Sequence, residues 1–308
     1  VSTKPKLVIA GTGAMACLFA ARLAPHARVT LLGTWPEGLA ALKAGGVRLR
    51  EADGSEHQID VEASNDPESC AGAKLALILV KSWQTERAAE QLAKCLDSAG
   101  VALTLQNGLG NLEILQRFLG TERAALGVTT TGATMISPGY VRAGGSGPTH
   151  LGRHPRLEPL ASLLRTAGFT IEITDDLQAL IWTKLAINAG INPLTAILRV
   201  PNGKLNEIPH ARSLMFAAAV ETSKVAAALG IRLPGEDVET TIADVAVRTA
   251  KNHSSMLQDI LRGAPTEIDA ICGAVVRAAE EHGIPAPVNW SLWNLVRAMV
   301  ATSDGEDG

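Results

Sequence analysis

Aromatic residues are scarce. Phe, Trp and Tyr make up 3% of the 308 positions, too few for the stacking platforms on which proteins hold single-stranded nucleic acid. An excess of positive charge is lacking too. The chain has 28 Lys and Arg against 31 Asp and Glu, a net charge of −3, so nothing electrostatic draws it to nucleic acid or to an anionic membrane. No apolar run is long enough to cross a bilayer. The four cysteines, Cys17, Cys70, Cys95 and Cys272, lie far apart with no CxxC pair, as expected of reduced, partly buried thiols in a cytoplasmic protein. His150 and His154 are four apart, but Gly152 and Pro155 forbid the helix that would set both on one metal. Internal repeats and low-complexity segments are missing as well. Lys4 and Lys6 precede an apolar stretch over 7–21, the order of a signal peptide. Gly11 and Gly13 interrupt that stretch at the spacing of a strand-to-helix turn, and export is rejected on that ground.

What remains is an ordinary globular composition, 46% hydrophobic and 19% charged. This length predicts two domains, each with its own core. Residues 7–10 read as a buried strand, followed by Gly11-Thr12-Gly13-Ala14-Met15-Ala16, a helix to about Leu23 and a second strand over 29–32. This is the order of a dinucleotide-binding unit. Gly11 makes the tight turn, Gly13 lets backbone approach a pyrophosphate at the helix N-terminus, and Ala16 stands for the third glycine. At the end of the second strand an acid would bind the ribose of NAD and an arginine the phosphate of NADP. Gly33, Thr34 and Trp35 offer neither, and the missing acid leans toward NADP.

Further along, 47–50 and 58–62 predict a hairpin turning at Asp53-Gly54. The run 75–80 is continuously apolar, like a parallel strand covered on both faces. It ends at Lys81, and Ser82 to Gln84 open a helix reaching about Cys95. The next such strand, 101–105, ends in Gln106-Asn107-Gly108. Ligands bind beyond the carboxyl ends of strands in open parallel sheets, so Lys81 and Asn107 are candidates for contact with cofactor or substrate. From 124 to 152 short β-like pieces read as an antiparallel addition. A helix over 157–167 and a strand over 170–173 follow, and Asp175 and Asp176 suit the start of the next helix. The domain boundary is set near 175, giving a Rossmann-type domain over 1–175 and an all-helical domain over 176–308.

In the second part, helical periodicity covers 211–229, 235–259, 265–282 and 289–300, and the tail is polar and acidic. The stretch 181–198 is nearly all apolar, yet Lys184, Asn188 and Asn192 recur in steps of four. On a helix these three project from one side, within roughly 80°. Either the stripe faces solvent, or it lines a cleft and awaits a polar ligand. Pro193 kinks or ends the helix beside it. Pro201-Asn202-Gly203 is turn chemistry. Thr266 and Asp269 fit a capping box, leaving Glu267 in a first helical turn. Ser254 and Ser255 follow His253 directly, and no nucleophile elbow supports a serine hydrolase.

Taken together and in order, GTGAMA, VKSWQT, LQNGLGN, WTKLAINAGINPLTAI, PNGKL and SSMLQDILRGAPTEID closely resemble the ketopantoate reductase (2-dehydropantoate 2-reductase) family, over nearly the whole chain. The resemblance implies a Rossmann domain followed by a helical domain, with NADPH reducing ketopantoate to (R)-pantoate on the route to pantothenate and coenzyme A. It implies Lys184 as catalytic lysine and Glu267 as its acidic partner. Asn107, Asn188, Asn192, Asn202 and Ser255 would hold substrate. Gly11 to Ala16 (Gly11, Thr12, Gly13, Ala14, Met15, Ala16), with Thr34, Lys81 and Asn107, would meet the cofactor. Many relatives carry an arginine where Thr34 stands, a departure that bears on cofactor preference. Two rivals stand beside this reading: a reductase of another 2-oxo or β-oxo acid, and a non-catalytic NADPH-sensing binding protein. No metal is expected. The apolar helical half is either a homodimer interface or core.

Overall fold

The computed structural model describes residues 4–235 and 237–303; the acidic tail beyond them lies outside the described residues. Two compact units emerge. One comprises the chain up to Gln106 together with Asn111–Leu177; the other comprises Asn107–Gly110 and the chain from Gln178 onward.

The first unit is α/β. Its strands are β1 (Lys6–Ala10), β2 (Arg28–Leu32), β3 (Val47–Arg50), β4 (Glu56–Ile59), β5 (Glu62–Ser64), β6 (Ala73–Ile78), β7 (Leu96–Thr104), β8 (Ala124–Thr129), β9 (Ala133–Ser137), β10 (Tyr140–Ala143), β11 (Thr149–Gly152) and β12 (Ile171–Thr174). Its helices are α1 (Ala14–Leu23), α2 (Pro36–Gly45), α3 (Thr85–Cys95), α4 (Asn111–Leu119) and α5 (Glu158–Thr166). The main sheet runs β12-β11-β8-β7-β6-β1-β2-β5, parallel from β8 through β5. Successive side chains of a strand face opposite ways, and β1 shows the consequence. Leu7 and Ile9 enter one core with α1 and α5, whereas Val8 and Ala10 enter another with α3 and α4. A sheet buried on both faces needs apolar residues at every position, which is why 75–80 reads as unbroken hydrophobe.

Several expectations are corrected. The segment 58–62 is not one strand: β4 closes the hairpin with β3, while Glu62 opens β5, which pairs in parallel with β2. The stretch 124–152 is not uniformly an antiparallel addition. Its first strand, β8, extends the main sheet in parallel beside β7, and only β11 returns antiparallel. β9 and β10 join β3 and β4 in a second sheet of four. Asp175 and Asp176 directly precede the helix that starts at Leu177, and the Asp175 carboxylate is in addition bound by Arg153.

The second unit has no strand among its described residues. It consists of α6 (Leu177–Leu198), α7 (Lys204–Glu207), α8 (Pro209–Ala228), α9 (Val238–Arg248), α10 (Ser255–Leu261), α11 (Cys272–Glu281) and α12 (Pro287–Ser303). α6 continues through Pro193 to Leu198 and stops only at Arg199, whose φ of 53° is left-handed. Trp182, Leu185, Ala189, Ile191 and Leu194 bury its apolar flanks in this unit's core. At Gly190 an added Cβ would lie 2.7 Å from the Met215 carbonyl oxygen, so α6 and α8 touch backbone to backbone there.

The helix expected over 235–259 is two helices, separated where the backbone N–H groups of Asn202 and Gly203 take the carbonyls of Asn252 and Ala250. The one expected from 265 starts only at Cys272. Residues 268–271 form a turn, and Asp269 caps nothing, since its carboxylate accepts from Trp293 Nε1 at 2.6 Å. No helix among the described residues is long and apolar enough to span a membrane.

Candidate active site

Within the first unit, the turn after β1 is built to leave helix donors free. Gly11 has a φ of 128°, and a Cβ there would sit 3.0 Å from the carbonyl oxygen of Leu79, so only glycine fits. Its N–H donates to Leu32 O at 2.8 Å, tying the turn to β2. Gly13 caps α1 without a side-chain hydrogen bond, no acid occupies the first turn, and nothing lies within 4 Å of where its Cβ would be. A helix start with unclaimed N–H groups, no competing anion and open space fits a pyrophosphate. Thr12 is buried with its methyl group against Gly33, and Ala16, in the first turn of α1, is buried in the core, while Ala14 and Met15 are half-buried. Thr34 is exposed at the end of β2, and the ring of Trp35 lies over Gly38 in the first turn of α2.

Lys81 is half-buried just past β6. Neighbouring residues that the sequence reading missed hold this loop. Gln106 Nε2 donates to Val80 O at 2.9 Å and to Thr85 Oγ1 at 2.8 Å, and Thr85 Oγ1 lies 2.8 Å from Asn111 Oδ1. Thr85 and Asn111 are buried polar groups, and such groups are retained when their hydrogen bonds are met. Their place beside VKSWQ and QNG was the only signal in the sequence.

The second unit gathers the other candidates. Lys184 and Asn188 on α6 are half-buried and Asn192 is buried, so the stripe does not face bulk water. Burial pulls the Lys184 ammonium down from its usual 10.5 to about 8, while the carboxylate of Glu267 pushes the other way. Glu267 is itself buried, 5% exposed, and a carboxylate so placed requires polar company. Asn107 supplies part of it, with Nδ2 3.5 Å from Glu267 Oε2. Asn107 reaches this place because Leu109 N–H donates to Ala270 O at 3.1 Å and because Gly108, at a φ of 82°, lies flat against Ala270. The segment 107–110 therefore packs on the turn that carries Glu267. Lys184, Glu267 and Asn107, far apart in sequence, meet in one place.

Ser255 is exposed at the start of α10. Asn202 is buried; its Nδ2 donates to Thr249 Oγ1 at 2.9 Å, which leaves Oδ1 as a buried acceptor with no protein partner. A free acceptor fixed in this way suits a hydroxyl donor. The pair Thr195 and Ser254, also missed in the sequence, joins α6 to α10 through hydroxyls 2.7 Å apart.

The profile of the family described as "Ketopantoate reductase PanE/ApbA" matches residues 7–156, and that of its C-terminal domain matches residues 176–300. The chain belongs to the ketopantoate reductase family. A 2-dehydropantoate 2-reductase of Halobacterium salinarum is 38% identical over 306 residues, covering 97% of this chain and 100% of that protein. Among solved structures, a PanE/ApbA family ketopantoate reductase from Ralstonia eutropha JMP134 aligns with a TM-score of 0.90 at 33% identity, over 97% of this chain and 99% of the other. A D-mandelate dehydrogenase solved with NADH and anilino(oxo)acetate aligns with a TM-score of 0.91 at 27% identity, over 96% and 99%. Ketopantoate reductases are dinucleotide-dependent oxidoreductases acting on small molecules, and the Rossmann-type first unit and helical second unit are those of the family.

Proposed function

We propose that the protein reduces 2-dehydropantoate to (R)-pantoate with NADPH, a step of pantothenate and coenzyme A biosynthesis. The observation that carries this reading is the meeting of Lys184, Glu267 and Asn107 in a chain of this family.

When bound, the dinucleotide supplies hydride; Gly11 to Ala16 would hold its pyrophosphate, with Thr34, Lys81 and Asn107 at its remaining contacts. Reduction of a 2-oxo acid places negative charge on the carbonyl oxygen, which needs neutralising as it forms. Lys184, with a pKa of about 8, is mostly protonated at pH 7 yet gives up its proton readily, as suits a general acid. It donates that proton to the oxygen, and the product is the hydroxy acid. Glu267 accepts from a substrate hydroxyl and keeps the ammonium facing the reacting oxygen. Asn188, Asn192, Asn202 and Ser255 bind the carboxylate and hydroxyl groups and orient the carbonyl.

A second reading keeps the chemistry and changes the substrate. Likeness to a D-mandelate dehydrogenase in complex with NADH favours another 2-oxo acid with NADH as donor, and the exposed Thr34 carries no phosphate-binding charge to oppose it. Steady-state turnover of 2-dehydropantoate with NADPH and NADH, beside a panel of 2-oxo acids, tests both. The first reading expects the highest kcat/KM for 2-dehydropantoate with NADPH. A higher value for an aromatic 2-oxo acid with NADH would establish the second. Binding of NADPH without turnover of any oxo acid would reduce the protein to a cofactor-sensing module.

A further inference from the structure

The polar stripe of α6 does not end at Asn192. Thr195 is eleven residues beyond Lys184, a rotation that returns to within roughly 20° of it at 3.6 residues per turn. It lies one turn past Asn192 on the same side. Thr195 is fully buried, and so nearly is Ser254, at 0% and 6% exposure. Thr195 Oγ1 donates to Ser254 Oγ at 2.7 Å. The same Ser254 oxygen accepts the N–H of Leu257 at 3.1 Å and so caps α10. The residue next to the cap is Ser255, exposed at the first position of that helix.

Thr195 Oγ1 also lies 3.0 Å from the carbonyl oxygens of Ile191 and Asn192, so its one proton has three acceptors, of which Ser254 Oγ is the nearest. The pair fixes the distance between α6 and the cap of α10. The loop leading into the cap is held at its other end by Asn202, through Thr249 and the Asn252 carbonyl. α6 thus presents Lys184, Asn188 and Asn192 on one side and, one turn further on, carries the hydroxyl that meets Ser254, the chain neighbour of Ser255.

We propose that Thr195 and Ser254 are positioning residues for substrate recognition: their hydroxyl pair sets Ser255 in register with the Asn188 and Asn192 amides. This inference rests on the reading of Ser255 as a substrate donor. Neither hydroxyl touches substrate. Loss of the pair lets α10 shift on α6, so its effect appears in binding of the oxo acid and not in binding of the dinucleotide.

The test compares Thr195→Val, which keeps shape and removes the donor, with Thr195→Ser, which restores it, and Ser255→Ala alone and with Thr195→Val. Readouts are kcat and KM for the oxo acid, and the Kd of NADPH from its fluorescence. Thr195→Val raises the KM of the oxo acid about tenfold, the size expected when a buried hydrogen bond is removed from one side, while the Kd of NADPH stays within about twofold. Thr195→Ser recovers most of the loss. The double variant is no worse than Ser255→Ala, because the two act through one contact. An unchanged KM in Thr195→Val with a raised KM in Ser255→Ala overturns the positioning role alone. A silent Ser255→Ala overturns the reading beneath it. Parallel loss of NADPH affinity in Thr195→Val, without recovery by Thr195→Ser, marks a purely structural residue and also overturns the proposal.

Discussion

Lys184 stands where two opposing effects can be ranked. Burial lowers its pKa from 10.5 to about 8, and the attraction of Glu267 limits the fall. A general acid works in its protonated form, so kcat/KM for reduction holds steady below pH about 8 and drops about tenfold per unit above it. A pH profile from 6 to 10 checks this, and a rate flat through pH 10 would remove Lys184 from the role. Glu267→Gln takes away the charge that holds the pKa up, so the descending limb moves to lower pH. Lys184→Ala lowers kcat about a thousandfold, within the range of a lost general acid. The same shift enters folding. Between pH about 8 and 10.5 the unfolded chain holds a proton that the native Lys184 has released, so stability rises with pH across that window.

Whole elements, more than single side chains, decide how the site is assembled. Gly108 has a φ of 82°, and a Cβ there would lie 2.3 Å from Ala270 O. Gly108→Ala must push 107–110 off the Glu267 turn. It lowers kcat at least about tenfold and weakens NADPH binding as well, because Asn107, proposed to meet both substrate and cofactor, moves with the segment that takes a strain of roughly 1–3 kcal/mol. Kinetics alongside cofactor titration separate the two effects.

A second contact between elements is the seat of α12. The buried carboxylate of Glu221 on α8 accepts the N–H groups of Val288 and Asn289 and the amide of Asn289, each at 2.9 Å. Glu221→Ala leaves a buried helix start without its acceptors and costs about 3 kcal/mol, measured by urea unfolding. The periodicity of α6 was readable because its pattern is local. The breaks before α10 and α11 were not, because distant partners make them: Asn202 draws Asn252 out of helix, and Trp293 takes Asp269. α2 and α4 were overlooked although local signals were there. Pro36 opens α2 and Gly46 follows it, and Leu112, Leu115 and Leu119 recur at helical spacing in α4.

For the molecule as a whole, the sequence made the α/β first unit and the helical second unit plain, since both follow from short-range pattern. Sheet order did not, since β8 pairs with β7 while β9 and β10 leave for another sheet with β3 and β4, and such pairing is settled only by tertiary packing. Segment 107–110 belongs to the second unit although the strand before it belongs to the first. No pattern in QNGLG announces that, because the decisive contact is with Ala270. The two units also divide the proposed labour, with the pyrophosphate turn in one and the proton donor in the other, so cofactor binding and proton donation should fail independently. A ligand bound to the native state alone adds about 2.7 kcal/mol at a hundred times its Kd, readable as a rise in Tm. Lys184→Ala keeps that rise with NADPH while turnover collapses. Gly11→Ala forces a side chain against Leu79 O at a φ of 128° and loses the rise together with turnover. If Lys184→Ala instead abolished the shift, the lysine would be a cofactor ligand, and the assignment of proton donor would pass to another group on the second unit.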